Sequence, residues 1–236
     1  MPHQLLLAIS LLLLPTASTQ SSINNASTAT LSKPPNFVHF GAQFPLYKWS
    51  AKEERYVQDS GGRRRLAAFL LAVDHLNNKT DGFWDDVLPT THIKFVVSDS
   101  RRDVGQAVVN AFKLWESNSI IHIGPASSGP SEQSQSVLKL RDVGIPQISY
   151  SATSPSLSDA TTSPMFLRTP PSDAFQSQIM VRVVTAQRWN RACVLAGTDA
   201  YSNAGGEEVA RLVAAQAGGK LVLVDHVAFV TGSGDV

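Results

Sequence analysis

The sequence predicts an α/β protein with a doubly wound, mostly parallel sheet. Two observations support this fold class. Short β-branched or aromatic runs alternate along the chain with longer segments that carry apolar residues at helical spacing, and the short runs are nearly continuous in apolar residues. Strands that are covered by helices on both faces have this apolar character, and an alternating order of strands and helices is typical of parallel sheets.

Six strands and five helices are predicted in strict alternation. The predicted strands are Phe37–Phe44, His92–Ser98, Ile120–Gly124, Ile145–Ser151, Ala192–Gly197 and Lys220–Phe229. The predicted helices are Arg65–Asn77, Asp103–Glu116, Ser131–Val143, Asp173–Gln187 and Gly205–Ala217. Each helix is amphipathic: Val104, Val108 and Trp115 share one face of the second helix, and Phe175 and Ile179 share one face of the fourth.

The first 35 residues are predicted to lie outside the folded region. Leu5–Leu14 reads LLLAISLLLL and is followed by small residues, which favours a secretory signal peptide at residues 1–18 over a buried core segment. The run is about half the ~20 residues that span a bilayer. Residues 19–35 are rich in Ser, Thr and Asn and are predicted to be a disordered leader. Asn25 and Asn78 each begin an Asn-X-Ser/Thr glycosylation triplet, which agrees with secretion.

Composition and missing motifs exclude several classes of function. Lys and Arg total 20 against 19 for Asp and Glu, so the net charge of +1 offers no footprint for a nucleic acid or an anionic membrane. The sequence has a single cysteine, Cys193, which excludes an intrachain disulfide and a cysteine zinc cluster. Cys193 itself is predicted to be a small buried hydrophobic residue. His92 and His122 lie in strand runs and are predicted to be core or edge residues with satisfied hydrogen bonds. GxSxG, HExxH, P-loop and GxGxxG motifs do not occur, so we expect neither an enzyme nor a bound cofactor or metal.

Hydroxyl-rich loops after the third and fourth strands form the candidate site, because such sheets bind small ligands beyond the carboxyl ends of their strands. Ser128 opens a helix, where it could bind an anion or cap its own helix. Ser151 and Thr153 are two residues apart and are predicted to face one side and to converge with Ser128. Neutral donors of this kind suit the carboxylate of a zwitterion, although a turn with local hydrogen bonds is the alternative.

Two later residues could receive an ammonium group. Asp173 precedes a helix with Gln176 three residues later, which is the spacing of a capping box and has a purely structural explanation. Tyr201 lies in the loop that follows the fifth strand, where an aromatic ring beside a carboxylate could bind a cation. An exposed loop tyrosine is the equally ordinary alternative.

At these loops the sequence resembles the type I periplasmic-binding-protein superfamily. It is most similar to the extracellular ligand-binding region of class C G-protein-coupled receptors, the metabotropic glutamate and GABA type B group. The resemblance lies in IGPASS at 123–128, IPQISYSATSPSLSD at 145–159 and FLRTPPSD at 166–173, with GAQFPL at 41–46 and AVDHLN at 72–77. It extends from about Val38 to the end of the chain.

The resemblance implies two lobes that close on an amino acid. It implies that Ser128 and Thr153 hydrogen-bond the ligand carboxylate, that Ser151 contributes backbone groups, and that Asp173 and Tyr201 meet the amine. Together with the missing catalytic motifs, it implies a receptor and not an enzyme.

One position agrees with the family pattern and another departs from it. Arg65 falls where glutamate receptors place a basic residue for a side-chain carboxylate, a position that varies with the ligand. Asp99-Ser-Arg101 stands where the family often has a cysteine, so the usual disulfides are absent.

The resemblance also implies an organisation: residues 36–168 form the first lobe, and residues 169–236 form an incomplete second lobe of a fragment. The expected function is that of a receptor ligand-binding region that senses an amino acid or similar zwitterion. A full-length protein would lie on the extracellular face of the plasma membrane and reach the membrane only through a missing C-terminal region. Otherwise the chain would be secreted. The family suggests a homodimer. A soluble amino-acid-binding protein of a transport system and the ectodomain of a single-span receptor cyclase are the alternatives.

Overall fold

The structure, a computed structural model, describes residues 36–141, 144–215 and 221–230. The predicted signal peptide at 1–18, the predicted leader at 19–35 and the glycosylation acceptor Asn25 lie outside these residues. The described chain is an α/β structure with a parallel central sheet, so the predicted fold class is confirmed.

A five-stranded parallel sheet forms the larger layer, in the spatial order β4-β1-β5-β6-β7. Its strands are β1 (Phe37–Phe44), β4 (His92–Asp99), β5 (Ile121–Ile123), β6 (Gln147–Ser149) and β7 (Phe166–Arg168). An antiparallel hairpin, β2 (Tyr47–Ser50) and β3 (Arg55–Gln58), follows β1. A separate parallel pair consists of β8 (Arg191–Gly197) and β9 (Val222–Phe229).

Within the described ranges, five α-helices connect these strands: α1 (Ser60–Asn77), α2 (Val104–Glu116), α3 (Ser128–Leu138), α4 (Asp173–Ala186) and α5 (Ala200–Ala214). The larger sheet is covered on both faces, as a doubly wound sheet requires. Phe40 of β1 packs in one core cluster with Val73 of α1, while Ala111 of α2 packs in another with Leu138 of α3. Burial of these apolar side chains is the main favourable contribution to folding.

The β8–β9 pair has a core of its own, formed by Val181 of α4, Val213 of α5 and Leu221. Phe175 and Ile179 share one face of α4, as predicted, but that face lies at the surface, with 62% and 61% of these residues exposed.

Cys193 in β8 is exposed, so its prediction as a buried hydrophobe is wrong. The positions of the two histidines are as predicted: His122 is fully buried in the core strand β5, and His92 is exposed on the edge strand β4. Among the described residues, however, His122 Nδ1 has no hydrogen-bond partner, so the predicted hydrogen bonding of a core histidine holds only at Nε2.

Helix α1 begins five residues earlier than the sequence pattern predicts, because Asp59 caps it. The Asp59 carboxylate accepts a hydrogen bond from the Gly62 amide at 2.9 Å and another from Arg102 Nε at 2.7 Å. Burial acts to raise the pKa of Asp59, but these hydrogen bonds outweigh it and hold the pKa below its ordinary value. The early start brings Gly62 against the Pro45 carbonyl, where a Cβ would lie 1.7 Å from the oxygen.

The hairpin is attached to the loop after β4 without a disulfide. Asp99 Oδ1 accepts a hydrogen bond from the Leu46 amide at 2.8 Å. The Arg101 guanidinium lies 5.0 Å from the centre of the Tyr56 ring, within range of a cation–π contact. These contacts join the two segments at the place where the resemblance leads one to expect a cysteine.

None of the helices within the described ranges has the length and apolar character needed to cross a bilayer.

Candidate ligand-binding site

The predicted loops meet at the carboxyl end of the larger sheet. β5 and β6 are hydrogen-bonded neighbours, so the loops that follow them emerge side by side. Gly124 directly follows β5 and has a φ of 89°, and its amide donates to the Ile148 carbonyl at 2.7 Å. A Cβ on Gly124 would lie 2.3 Å from the Gln43 carbonyl oxygen. Glycine is therefore required where the loop after β5 passes over β1.

Ser149, the last residue of β6, joins the two loops through its hydroxyl. Ser149 Oγ donates to the Pro125 carbonyl at 2.7 Å and accepts from the amide of Ala152 at 2.9 Å. It also accepts from the Ser151 amide at 3.3 Å. Ser151 is half-buried beside this junction, and its backbone turns with the loop.

Ser128 does not cap its own helix. The N-cap of α3 is Ser127, whose side chain makes no capping hydrogen bond, and Ser128 is the first helical residue. Ser128 is buried, and its Oγ accepts a hydrogen bond from the Ser154 amide at 3.3 Å. Ser131, one turn further, donates to the Pro125 carbonyl instead. The hydroxyl of Ser128 thus connects the loop after β5 to the loop after β6.

Thr153 and Asp173 are bonded twice. Thr153 Oγ1 donates to Asp173 Oδ2 at 2.7 Å, and the Asp173 amide donates to the Thr153 carbonyl at 2.9 Å. The capping box predicted at Asp173 is wrong, because Ser172 is the N-cap and accepts from the Ala174 amide. Asp173 is instead the first residue of α4, and its carboxylate is free to face the loop that carries Thr153.

Tyr201 completes this cluster from the first turn of α5. It lies in that helix and not in the predicted loop, because Asp199 caps α5 by accepting from the amides of Tyr201 and Ser202. Burial raises the pKa of Tyr201, and a hydrogen bond with the adjacent Asp173 carboxylate raises it further. Its hydroxyl therefore remains protonated at neutral pH and serves as a donor beside Asp173.

Tyr150 is a structural residue that the sequence pattern does not single out. Its ring stacks on Phe44 with the centroids 5.2 Å apart, and its hydroxyl donates to the Gln43 carbonyl at 2.9 Å. The Arg65 guanidinium lies 5.7 Å from the centre of the same ring. A cation from α1 is thereby held beside the loop after β6.

The structure thus brings together groups of two kinds. The hydroxyls and amides of Ser128 and Ser154 lie at the N-terminus of α3, where the helix dipole favours an anion. The carboxylate of Asp173 lies with Thr153 and Tyr201. Among the described residues, no group of three or more His, Cys, Asp or Glu side chains could hold a metal ion.

The predicted glycosylation acceptor Asn78 lies away from these loops, exposed at the end of α1. Its Oδ1 accepts hydrogen bonds from the amide and the hydroxyl of Thr80, the third residue of the triplet. Its modification remains a prediction.

Comparison with known proteins identifies a family for most of the chain. The profile described as the receptor family ligand binding region matches residues 64–231. The human (Homo sapiens) metabotropic glutamate receptor 8 is 31% identical over 193 residues, which cover 72% of this chain and 21% of that receptor. The Rattus norvegicus metabotropic glutamate receptor 4 is 33% identical over 194 residues, with the same two shares. The Oryctolagus cuniculus metabotropic glutamate receptor 6 is 39% identical over 97 residues, 41% of this chain and 11% of that receptor. The chain spans about a fifth of the length of the first two.

Proposed function

The chain belongs to the receptor family ligand binding region, of the class C G-protein-coupled receptor type, and on this premise we propose that it binds an amino acid or a similar small zwitterion. The family is a ligand-binding region of receptors and not an enzyme. The observation that carries the proposal is the cluster of Thr153, Asp173 and Tyr201 next to the Ser128–Ser154 contact.

A zwitterion would match both halves of this arrangement. Its carboxylate would accept hydrogen bonds from the Ser128 hydroxyl and from the Thr153 hydroxyl, which on binding would turn from Asp173 to the ligand, near the positive end of the α3 dipole. Ser151 would add backbone groups from the same loop. The ammonium group would lie against the Asp173 carboxylate and the face of the Tyr201 ring. Neutral hydrogen-bond donors and the α3 dipole would thus stabilise the ligand carboxylate, and the Asp173 carboxylate would stabilise the ligand ammonium group.

A second carboxylate on the ligand would suit Arg65. Its guanidinium is held over the Tyr150 ring, beside the loop that would bind the first carboxylate. The relatives are named as glutamate receptors, so an acidic amino acid is the ligand class that we propose first.

Lobe closure is part of the same proposal. Thr153 follows the larger sheet, whereas Asp173 and Tyr201 belong to the helices that pack on the β8–β9 pair. With the proposed lobes at residues 36–168 and 169–236, one ligand would contact both. A ligand with contacts to two lobes shifts the equilibrium towards the state in which those contacts form together.

Three further proposals follow from the family. The chain would lie outside the cell, with any membrane attachment supplied by sequence beyond it, and with a glycan at Asn78. A homodimer would use the apolar side chains that α1 and α2 expose, among them Leu71, Val109 and Phe112. G-protein coupling would belong to the whole receptor.

The proposal is tested by ligand-dependent thermal stabilisation of the protein expressed with all the sequence that its gene encodes. A panel of L-amino acids that includes L-glutamate should raise the Tm of the wild type, because a ligand that binds only the native state stabilises it. Thr153→Ala should abolish the shift. The control is Thr161→Ala, a loop threonine that bonds Asp159 on the surface. A well-folded wild type that no amino acid stabilises would refute the proposal.

A further inference from the structure

Ser154 forms hydrogen bonds through its amide, its carbonyl and its hydroxyl. It is fully buried, and its amide donates to Ser128 Oγ at 3.3 Å. Its carbonyl accepts from Arg168 Nη1 at 2.7 Å, and its hydroxyl lies 2.6 Å from the hydroxyl of Ser156. A residue bonded through its amide, carbonyl and side chain has little freedom to move, so the position of Ser154 is set by its partners.

The hydroxyl bonds have a definite direction. Ser156 Oγ donates its proton to a carboxylate oxygen of Glu132 on α3, and an ionised carboxylate can only accept. The hydroxyl of Ser156 therefore has no proton left for Ser154, and Ser154 must be the donor between the two. The order is Ser154 to Ser156 to Glu132, which ties the loop after β6 to the second turn of α3.

Arg168 fixes the same loop from the opposite side. At the end of β7, its guanidinium donates to the Ser154 carbonyl and, through Nη2, to the hydroxyl of Ser158. These two acceptors lie at the two ends of the 3₁₀ turn Pro155–Ser158. The planar fork of an arginine suits this arrangement because its donors have a fixed spacing.

We propose that Glu132 and Arg168 are positioning residues of the ligand site, and that they act through Ser154. By fixing Ser154 they hold the Ser128 hydroxyl and the adjacent Thr153 at the spacing that a ligand carboxylate needs. Both lie outside the set of ligand contacts proposed above. A site that is ordered before the ligand arrives loses less entropy on binding, which raises affinity. This inference rests on the proposed function.

The experiment measures L-glutamate affinity together with amide hydrogen exchange of residues 151–158 without ligand. Glu132→Ala and Arg168→Met should each weaken binding at least tenfold and speed exchange in this segment. Glu132→Gln should restore most of both, because its amide oxygen can still accept from Ser156. The control Glu116→Ala, an exposed carboxylate of α2, should change neither readout.

Three outcomes separate the possibilities. If the wild type binds and the two variants bind equally well, the positioning role is overturned. If exchange in residues 151–158 is unaltered in both variants, the anchoring of Ser154 is overturned whatever the affinity. If the wild type binds no amino acid, the proposed function fails and the positioning role with it.

Discussion

Lowering the pH should destabilise the protein through His122, which is fully buried in β5. Its Nε2 lies 3.0 Å from Gln43 Nε2, and Gln43 Nε2 also donates to the Ala107 carbonyl at 3.1 Å. An amide nitrogen can only donate, so His122 Nε2 must be the acceptor and the ring must be neutral. Burial lowers the pKa of His122 to about 3. Protonation in the native state would place a charge in the core beside another donor.

The size of the effect follows from linkage. An unfolded chain has a histidine pKa of about 6.5, so below that pH the unfolded state binds a proton that the native state does not. The stability contributed by neutral His122 is complete above about pH 6.5 and is lost as the pH falls towards 3. The slope approaches about 1.4 kcal/mol per pH unit, which gives a loss of about 2 kcal/mol between pH 6.5 and 4.5.

Urea unfolding at a series of pH values measures this slope. His122→Gln should flatten it by the stated amount, whatever its cost in stability at neutral pH. The control His92→Gln changes an exposed histidine of the edge strand and should leave the slope as in the wild type. Equal slopes for the wild type and His122→Gln would refute the reasoning.

Two glycine pairs test the close contacts, each by chemical denaturation. Gly82→Ala should lower the free energy of unfolding by about 1–2 kcal/mol, because its φ of 82° is strained for alanine. No steric clash adds to this backbone penalty, since a Cβ there meets nothing within 4 Å. Gly124→Ala adds a clash with the Gln43 carbonyl to the same backbone penalty and should cost clearly more; equal losses would show that the clash is relieved. Gly205→Ala in α5 should stabilise the protein by about 0.5–1 kcal/mol, since its Cβ would be in open space. Gly206→Ala should destabilise it, because a Cβ would lie 2.8 Å from a side-chain atom of β8; a gain at this position would contradict the packing described.

The apolar strands were predictable and the polar ones were not. β1 has the predicted bounds because Phe37–Phe44 is rich in aromatic and apolar residues and is followed by Pro45. The hairpin was missed because Tyr47–Ser50 and Arg55–Gln58 carry charges and are half exposed, so they lack the apolar signal of a buried strand. β7 has only three residues, too few to show a period. Helices α1 and α5 begin earlier than the pattern predicts. A glycine pair in the first turn of α1 and another in the second turn of α5 hide helices that begin at aspartate caps.

The site was predictable as a set of loops, but its internal bonds were not. The hydroxyl-rich segment around Thr153 pointed to donors at the carboxyl end of the sheet. Asp173 can bond Thr153 because Ser172, and not Asp173, is the N-cap of α4. Residue spacing does not decide which of these two adjacent residues caps the helix. Glu132 and Arg168 were missed because each is distant in sequence from Ser154, and only the fold brings them to it.

The strand order of the larger sheet has a consequence for synthesis on the ribosome. In the sheet, β1 lies between β4 and β5. Along the chain, however, the hairpin and α1 are made between β1 and β4, and α2 is made between β4 and β5. At roughly 5–20 residues per second, the apolar strand Phe37–Phe44 therefore waits seconds for its first partner and longer for its second. During this interval both of its edges are open to other chains. The newly made chain is thus most open to wrong strand pairing in the interval before β5 is made, and the first ligand loop follows directly after that strand.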